Sequence, residues 1–142
     1  MNSLKMIFPA KAENEHLARV AVTAFTASLG VDVSLIAEIK TAVSEAVTNC
    51  IVHAYRDKGG DITVILKARD NGTLHIKITD RGCGISDIKQ ARTPLWTSHP
   101  EEERAGLGFA VMESFCDKMT VKSAVGKGTT ITLTKKLGQL EN

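Results

Sequence analysis

The sequence SEAVTNCIVHAY, residues 44–55, places Glu45, Asn49 and His53 at intervals of four residues. Side chains at this spacing lie on neighbouring turns of one face of an α-helix. No lysine, arginine or aspartate lies between residues 41 and 53, which is unusual for a helix face that contacts only water. The pattern predicts one helix from about residue 34 to about residue 55, whose opposite side packs on a core through an apolar stripe. The stripe consists of Ile36, Ile39, Val43, Val47, Cys50 and Ala54.

Asp80-Arg81-Gly82-Cys83-Gly84 is the first of three glycine motifs that follow this helix. It comes after an alternating run, residues 73–79, which predicts a strand that ends in a loop. Glycine lets a backbone approach a flat ligand closely, and a carboxylate accepts a hydrogen bond from an exocyclic amine. Adenine carries such an amine, so Asp80 is a candidate for contact with this base.

The second motif, Arg104-Ala105-Gly106-Leu107-Gly108-Phe109, opens a helical pattern that runs from about residue 106 to about residue 117. The free backbone N–H groups at a helix start can hold phosphate oxygens, and Arg104 supplies a matching charge. The third motif, Gly126-Lys127-Gly128-Thr129-Thr130, separates two short strand patterns. The spacing of a Walker loop and that of a Rossmann dinucleotide site are both missing.

Together the four motifs supply what a site for Mg-ATP needs. Mg²⁺ prefers oxygen ligands and keeps several waters, so the Asn49 carbonyl and the substrate phosphates are a sufficient set. Glu45 can accept or position the proton of an attacking hydroxyl, as the carboxylate of a phosphoryl-transfer site does. His53 is a weaker candidate, because a histidine near a helix end more often serves packing or hydrogen bonding.

The remaining patterns predict the order of the elements. The apolar run Leu4–Phe8 stops at Pro9 and predicts an edge strand. A helix that is capped by Asn14 and ends at Gly30 follows. Alternating runs on both sides of Asp70-Asn71-Gly72 predict a hairpin with a tight turn.

The second half of the chain predicts a helical turn near residues 87–91, a mobile loop up to Arg104, and a hairpin that joins residues 119–123 to residues 129–133. This order favours the α+β class: a two-layer sandwich in which helices pack on one face of a mixed, largely antiparallel sheet. No repeat or linker divides the chain, so we expect residues 1–142 to form a single domain.

Charge and cysteine usage exclude several classes of protein. The 18 Lys and Arg residues are dispersed among 16 Asp and Glu residues, so the net charge is +2 and no basic block predicts a nucleic-acid partner. No apolar run has the length of a membrane span or the form of a signal peptide, and a cytoplasmic location is expected. Cys50, Cys83 and Cys116 form no CxxC pair, which favours buried thiols over a disulfide framework or a zinc site.

The ordered strings SEAVTNCIVHAY, DRGCGI, ERAGLGF and GKGTT resemble the nucleotide-binding fold of gyrases, histidine kinases and MutL, known as the Bergerat or GHKL ATP-binding fold. Within this fold the chain is similar to the serine-kinase anti-sigma factors, in particular to the sporulation anti-sigma F factors of bacilli. The similarity extends over nearly the whole chain, including the stretches EHLARVAVTAF and ARTPLWTSHPEEERAGLGF.

The resemblance implies a role for each matching residue. Glu45 and Arg104 would be catalytic, with Glu45 acting on an acceptor serine, and Asn49 would bind Mg²⁺. Residues 92–103 would form a lid over ATP. Arg19 and Glu15, on the first helix, would lie on the surface that binds partner proteins. The residues implied in binding ATP or ADP are Asn49, His53, Asp80, Gly82, Gly84, Arg104, Gly106, Leu107, Gly108, Phe109 and Thr129.

The function that the resemblance implies is that of a homodimeric, cytoplasmic anti-sigma factor. It would sequester a sporulation sigma factor of the sigma F type and use Mg-ATP to phosphorylate a serine of its antagonist, an anti-anti-sigma protein with a STAS domain. One alternative is a nucleotide-gated binding module without kinase turnover. Another is a detached ATPase domain of the histidine-kinase type, although the sequence around His16 lacks the His-Glu-x-x-x-Pro context of a phosphoacceptor.

Overall fold

The computed structural model of this chain describes residues 2–55, 59–92 and 108–138. In these ranges five strands form one sheet in the order β1-β2-β3-β5-β4, and helices pack on one of its faces. The strands are β1 (Asn2–Pro9), β2 (Asp61–Ala68), β3 (Thr73–Asp80), β4 (Lys118–Ala124) and β5 (Gly128–Lys136). The helices are α1 (Ala12–Ala27), α2 (Val33–Asn49), α3 (Ile88–Ala91) and α4 (Gly108–Phe115), and a π-helical turn covers Cys50–Ala54.

Alternation along the strands separates the two faces of the sheet. Every second side chain of β2 and β3 is buried, from Ile62 to Ile78, and these side chains form the core together with α1 and α2. The hairpin between β2 and β3 turns at Gly72, whose φ is 82°. The side-chain oxygen of Asn71 accepts a hydrogen bond from the backbone N–H of Thr73 at 3.1 Å. The α+β class, this hairpin and the edge position of β1 are therefore confirmed.

The prediction of a mixed sheet needs one correction, because all four pairings of neighbouring strands in the described ranges are antiparallel. Strands β3 and β4 run in the same direction and are connected through α4, which is the crossover expected between parallel neighbours. Strand β5 lies between them and pairs antiparallel with both. The insertion of β5 makes the sheet fully antiparallel.

Helix α1 begins earlier than its sequence pattern predicts. We expected Asn14 to cap the helix, but Asn14 lies in the first turn, and its backbone N–H donates to the carbonyl of Lys11 at 2.9 Å. Its side-chain Nδ2 donates to the carbonyl of Pro9 at 2.9 Å. Asn14 therefore connects the helix to the end of β1. The general preference of asparagine for the N-cap position does not predict this contact.

The predicted helix over residues 34–55 is divided in two. The α-helical hydrogen bonds of α2 end at Asn49, and the π-helical turn is closed by the backbone N–H of Tyr55, which donates to the carbonyl of Cys50 at 3.0 Å. π-helical turns are rare in proteins, and those that occur often lie at functional sites. This one directly follows Asn49, and the apolar stripe is buried from Ile39 to Cys50.

The shorter helices agree with the sequence patterns in type and differ in their bounds. Helix α3 confirms the helical turn near residues 87–91, and Oδ1 of Asp87 caps it by accepting a hydrogen bond from the backbone N–H of Gln90 at 2.9 Å. Helix α4 is described from Gly108 and ends at Phe115, two residues before the predicted end. It leads into β4 after a bend of two residues.

Candidate nucleotide-binding site

Asn49 ends α2 at the point where α4 begins. A Cβ atom added to Gly108 would lie 3.1 Å from Oδ1 and 3.2 Å from Nδ2 of the Asn49 side chain, which is closer than ordinary van der Waals contact. Glycine therefore lets the first turn of α4 reach the carboxamide. The arrangement places an oxygen ligand for a hard cation beside the first described turn of α4, and this fits a phosphate that carries Mg²⁺.

Glu45 lies one turn before Asn49 on α2, and both residues are partly buried. His53 follows in the π-helical turn, where its backbone carbonyl accepts a hydrogen bond from Sγ of Cys83 at 3.3 Å. Among the described residues, no three His, Cys, Asp or Glu side chains are grouped so that they could hold a metal ion. A Mg²⁺ ion that keeps water and phosphate ligands does not need such a group.

Asp80, the last residue of β3, is 6% exposed, and both of its carboxylate oxygens have partners. Its Oδ1 accepts hydrogen bonds from the backbone N–H groups of Gly82 at 2.9 Å and Thr129 at 3.2 Å. Its Oδ2 accepts one from the thiol of Cys50 at 3.5 Å. Burial raises the pKa of Asp80 above its ordinary value, while these three hydrogen bonds act in the opposite direction. The carboxylate is thus held in one orientation as an acceptor.

Cys50 is a partner of Asp80 that sequence analysis treated only as a core residue. Burial raises the pKa of its thiol well above the ordinary value, and the negative charge of Asp80 raises it further. The thiol therefore keeps its proton and remains a donor. The expectation of buried thiols is correct for Cys50, whereas Cys116 is partly buried and Cys83 is exposed in the loop after β3.

The loop that follows Asp80 packs closely between two other segments. The backbone N–H of Cys83 donates to the carbonyl of Ala54 at 2.9 Å, and a Cβ on Gly82 would collide with that same carbonyl oxygen. Gly84 has a φ of 77°, and a Cβ there would collide with the carbonyl oxygen of Ala124. The two glycines of the motif are thus required by the approach of the π-helical turn on one side and of β4 on the other.

Two hydroxyl groups that sequence analysis missed hold this region in place. The hydroxyl of Tyr55 accepts a hydrogen bond from the backbone N–H of Arg81 at 2.6 Å and donates to the carbonyl of Asp61 at 2.6 Å. The hydroxyl of Ser123 accepts from the backbone N–H of Ile85 at 2.7 Å and lies 2.7 Å from the hydroxyl of Thr129. The sequence offers one indication of this role for Tyr55, because a buried tyrosine usually has a hydrogen-bond partner.

The two residues predicted to bind partner proteins lie together on α1. Nε of Arg19 is 3.5 Å from Oε1 of Glu15, and NH2 of Arg19 is 3.2 Å from Nδ1 of His16. Oε1 of Glu15 also accepts a hydrogen bond from the hydroxyl of Ser44 at 2.5 Å. Ser44 directly precedes Glu45, so this pair of residues on α1 is connected to the segment of α2 that carries the candidate catalytic carboxylate.

Part of the predicted site lies outside the described residues. This applies to Arg104, Gly106 and Leu107, and to the proposed lid except for its first residue, Arg92. NH2 of Arg92 is 3.2 Å from Oε1 of Glu113 on α4. Phe109, in the first turn of α4, is partly buried and packs against the core.

Comparison with known proteins places this site in a family. A model of the histidine kinase-like ATPase domain matches residues 8–135. An anti-sigma F factor of Caldanaerobacter subterraneus subsp. tengcongensis is 49% identical over 138 residues, which cover 97% of this chain and 96% of the relative. An anti-sigma F factor of Geobacillus kaustophilus is 46% identical, and the alignment covers 97% and 94% of the two chains.

The chain belongs to the anti-sigma F factor family. Among solved structures, the RsbU and RsbW domains of a Mycobacterium tuberculosis protein align with a TM-score of 0.71 at 25% identity, over 96% of this chain and 33% of that chain. The resemblance found in the sequence is thereby confirmed, and the histidine kinase-like ATPase domain implies a site for ATP or ADP. No helix in the described ranges is both long enough and apolar enough to span a bilayer.

Proposed function

We propose that this protein sequesters a sporulation sigma factor of the sigma F type and uses Mg-ATP to phosphorylate a serine of an anti-anti-sigma antagonist with a STAS domain. The names of its relatives support the first activity. The observation that carries the second is the position of Glu45 and Asn49 on successive turns of α2, with the start of α4 against the Asn49 carboxamide. This combination of groups suits phosphoryl transfer better than simple retention of a nucleotide.

The adenine ring would bind beside Asp80. Each carboxylate oxygen has more than one acceptor site, so Asp80 can accept a hydrogen bond from the exocyclic amine while Gly82, Thr129 and Cys50 set its orientation. The close-packed loop through Gly84 supplies a flat wall of backbone for the ring.

The phosphates would lie between Asn49 and the start of α4. The Asn49 carbonyl would hold Mg²⁺, and the backbone N–H groups of Gly108 and Phe109 would hold phosphate oxygens. An ion held there by Asn49 would supply positive charge that stabilises the phosphoryl group during transfer. We assign Arg104, Gly106 and Leu107 to the same phosphate region on the basis of their sequence motif, and Arg104 provides a second positive charge.

Glu45 would act on the acceptor serine. Its carboxylate takes the proton of the serine hydroxyl, the serine oxygen attacks the γ-phosphorus, and ADP leaves with the bridging oxygen. A partner that docks on Glu15 and Arg19 would be close to this carboxylate, because the Glu15–Ser44 hydrogen bond joins the docking surface to the residue before Glu45. Recognition and chemistry would therefore share one side of the helix layer.

A labelling experiment tests this function directly. The protein is incubated with γ-labelled ATP, Mg²⁺ and a purified STAS-domain antagonist from the same genome, and the labelled residue is identified by mass spectrometry. Phosphoserine on the antagonist, formed only with Mg²⁺, is the expected product. Label on a histidine of either protein would instead support the histidine-kinase alternative, and such a phosphoramidate is lost in acid whereas phosphoserine is retained.

A substitution on α1 separates partner recognition from catalysis. Arg19→Ala should weaken binding of the sigma factor, of the antagonist or of both by roughly tenfold or more, because arginines at the centre of an interface are often hot spots. ATP affinity and thermal stability should change little, since the Arg19 side chain is 42% exposed and contacts Glu15 and His16 on the same helix. Unaltered binding of both partners, measured by titration calorimetry, would contradict the assignment.

The binding-module alternative and the oligomeric state have their own measurements. Sequestration of the sigma factor that depends on ATP, without any transfer of label to an antagonist, would favour a nucleotide-gated binding module.

We also propose a homodimer, and light scattering of the purified protein at several concentrations would give its mass. A monomer at every concentration, with and without ATP, would disprove that part of the proposal.

A further inference from the structure

The face of the sheet that points away from the helices carries an unusual set of side chains, and we refer to it as the open face. It is formed by the alternate residues of the five strands that are not in the core. The strand register aligns these residues in three rows across β1, β2, β3, β5 and β4. The first row is Ser3, Lys67, His75, Thr134 and Lys118, the second is Lys5, Ile65, Lys77, Thr132 and Thr120, and the third is Ile7, Thr63, Thr79, Thr130 and Lys122.

No carboxylate occurs in these three rows, although each row contains at least one lysine. Three acidic residues of the described chain border the rows: Asp61 at the start of β2, Asp70, which lines a surface depression together with Ser3 and Lys67, and Asp117, which accepts a hydrogen bond from the backbone N–H of Lys136 at 2.7 Å. The five lysines are exposed, and none of them forms an ion pair with a described residue. Because the whole chain has a net charge of only +2, five lysines without a carboxylate make the three rows much more positive than the average surface of this protein.

Two apolar side chains lie within this basic surface. Ile7 on β1 is 61% exposed, and Ile65 on the neighbouring strand is diagonal to it and partly buried. Lys5 and Lys77 are the cross-strand neighbours of Ile65, and Thr63 is the cross-strand neighbour of Ile7. A strand spacing of about 4.8 Å and a rise of about 3.3 Å per residue give a grid of roughly 19 by 13 Å between Cα atoms, which is smaller than a standard protein interface and suits a short peptide segment.

We propose that the open face is a docking surface for an acidic protein segment that places carboxylates on the lysines and an apolar side chain on Ile7 and Ile65. The charge of the face favours an acidic partner, and desolvated apolar contacts surrounded by charges are characteristic of protein interfaces. A second copy of this chain does not fit face to face, because lysines would oppose lysines. The rows contain no phenylalanine, tyrosine or tryptophan on which a nucleic-acid base could stack.

This surface is independent of the proposed kinase site. Lys67 and Lys77 lie on the side of the sheet opposite α1 and α2, which carry Arg19, Glu45 and Asn49. A partner on the open face would therefore leave the nucleotide and the residues of α1 accessible. The protein could hold one partner on its helix layer and an acidic one on its sheet.

The test uses a fluorescent peptide with a leucine flanked by glutamates on both sides, and a matched peptide with serine in place of leucine. Binding is measured by anisotropy with the full-length protein. The variant Lys67→Glu/Lys77→Glu should weaken binding of the leucine peptide by at least about tenfold, because it reverses two charges at the centre of the face. The control Lys11→Glu/Lys40→Glu makes the same change of net charge on the helix side and should leave binding nearly unaltered.

A second variant separates the apolar contact from the charges. Ile7→Ser should abolish the preference for the leucine peptide over the serine peptide while it leaves binding of the serine peptide unchanged. Raising NaCl from about 0.05 M to about 0.5 M should weaken both peptides strongly. The proposal would be overturned by equal losses of binding in the two double variants, or by equal binding of the two peptides to the wild-type protein. It would also be overturned if a DNA duplex or phosphatidylglycerol vesicles bound more tightly than the leucine peptide. Far-ultraviolet circular dichroism and thermal melts show that each variant is folded.

Discussion

The two ends of the candidate nucleotide site are built in different ways. At the phosphate end, Glu45 and Asn49 lie on one helix, and the four-residue spacing alone sets their relation. At the adenine end, Asp80 is oriented by Cys50 and Thr129, which are 30 and 49 residues away in the chain. The first end depends on helix geometry, and the second depends on several elements meeting. We therefore expect substitutions at the phosphate end to change the rate of transfer, and substitutions at the adenine end to change the choice of base.

The largest effect is expected for Glu45→Gln, which tests the phosphate end. The amide cannot take a proton from the acceptor serine, so phosphoryl transfer should fall by roughly 10²–10⁴-fold. Affinity for ATP and for the partners should remain close to that of the wild type, because the interaction is made mainly in the transition state. Single-turnover labelling measures the rate, and Glu13→Gln on the exposed first turn of α1 is the matched control. Normal transfer by the Glu45 variant would show that this carboxylate is not catalytic.

A smaller effect is expected for Asp80→Asn at the adenine end. The amide can present its NH₂ to the adenine amine, and a mispaired buried donor costs about 1–3 kcal/mol, or roughly 5- to 150-fold in affinity. Calorimetry with ATP measures this loss, and Asp61→Asn, at the exposed start of β2, is the control.

The raised pKa of the Asp80 carboxyl predicts that ATP affinity depends on pH, and that the wild type and the Asp80→Asn variant differ in this dependence. Because burial raises this pKa, the acceptor becomes protonated at a higher pH than an ordinary aspartate does. ATP affinity should therefore fall during acidification before other aspartates titrate, and this fall should be absent in the Asp80→Asn variant, whose amide does not titrate. Identical pH profiles for the two proteins would remove Asp80 from the base contact.

Gly108→Ala tests whether the contact between α4 and Asn49 matters. Its methyl group would lie 3.1–3.2 Å from the Asn49 carboxamide, so either the helix start or the carboxamide must shift by a fraction of an ångström. Mg-dependent ATP affinity should fall by roughly tenfold, since small displacements in a site cost this much or more. Binding of adenosine without Mg²⁺ should be unaffected. Equal weakening of adenosine would indicate general damage to the site.

The smallest effect is expected for Cys50→Ala, which removes the thiol donor from Oδ2 of Asp80. One such hydrogen bond contributes about 1 kcal/mol or less, so ATP affinity should fall only a few-fold. The informative quantity is selectivity, measured as the ratio of affinities for ATP and for purine riboside triphosphate, which lacks the exocyclic amine. Cys50→Ala should lower this ratio, whereas Cys116→Ala, the partly buried control, should not. An unchanged ratio would mean that Cys50 only fills space.

Several parts of the site could be predicted because they are local. The four-residue spacing placed Glu45 and Asn49 together, and the alternating strands located Asp80 at a strand end. The division of α2 at Asn49 could not be predicted, because residues 50–54 contain no proline or glycine that would mark the end of an α-helix. The roles of Tyr55 and Ser123 were missed for a different reason. Each bonds to backbone groups of other segments, and a hydroxyl residue shows no preference in sequence for a distant carbonyl or N–H.

The sequence by itself determined the class of the fold and the family, and it supplied the candidate site residues, since helical and strand periodicity are properties of neighbouring residues. Only the tertiary structure decided three further features. It inserted β5 between β3 and β4, it surrounded the Asp80 carboxylate with donors from two other segments, and it assembled the open face. The lysines of that face are dispersed along the chain, and pairing of the strands in one register brings them onto a single surface. Long-range contacts of this kind depend on how elements pack, and local pattern does not encode them.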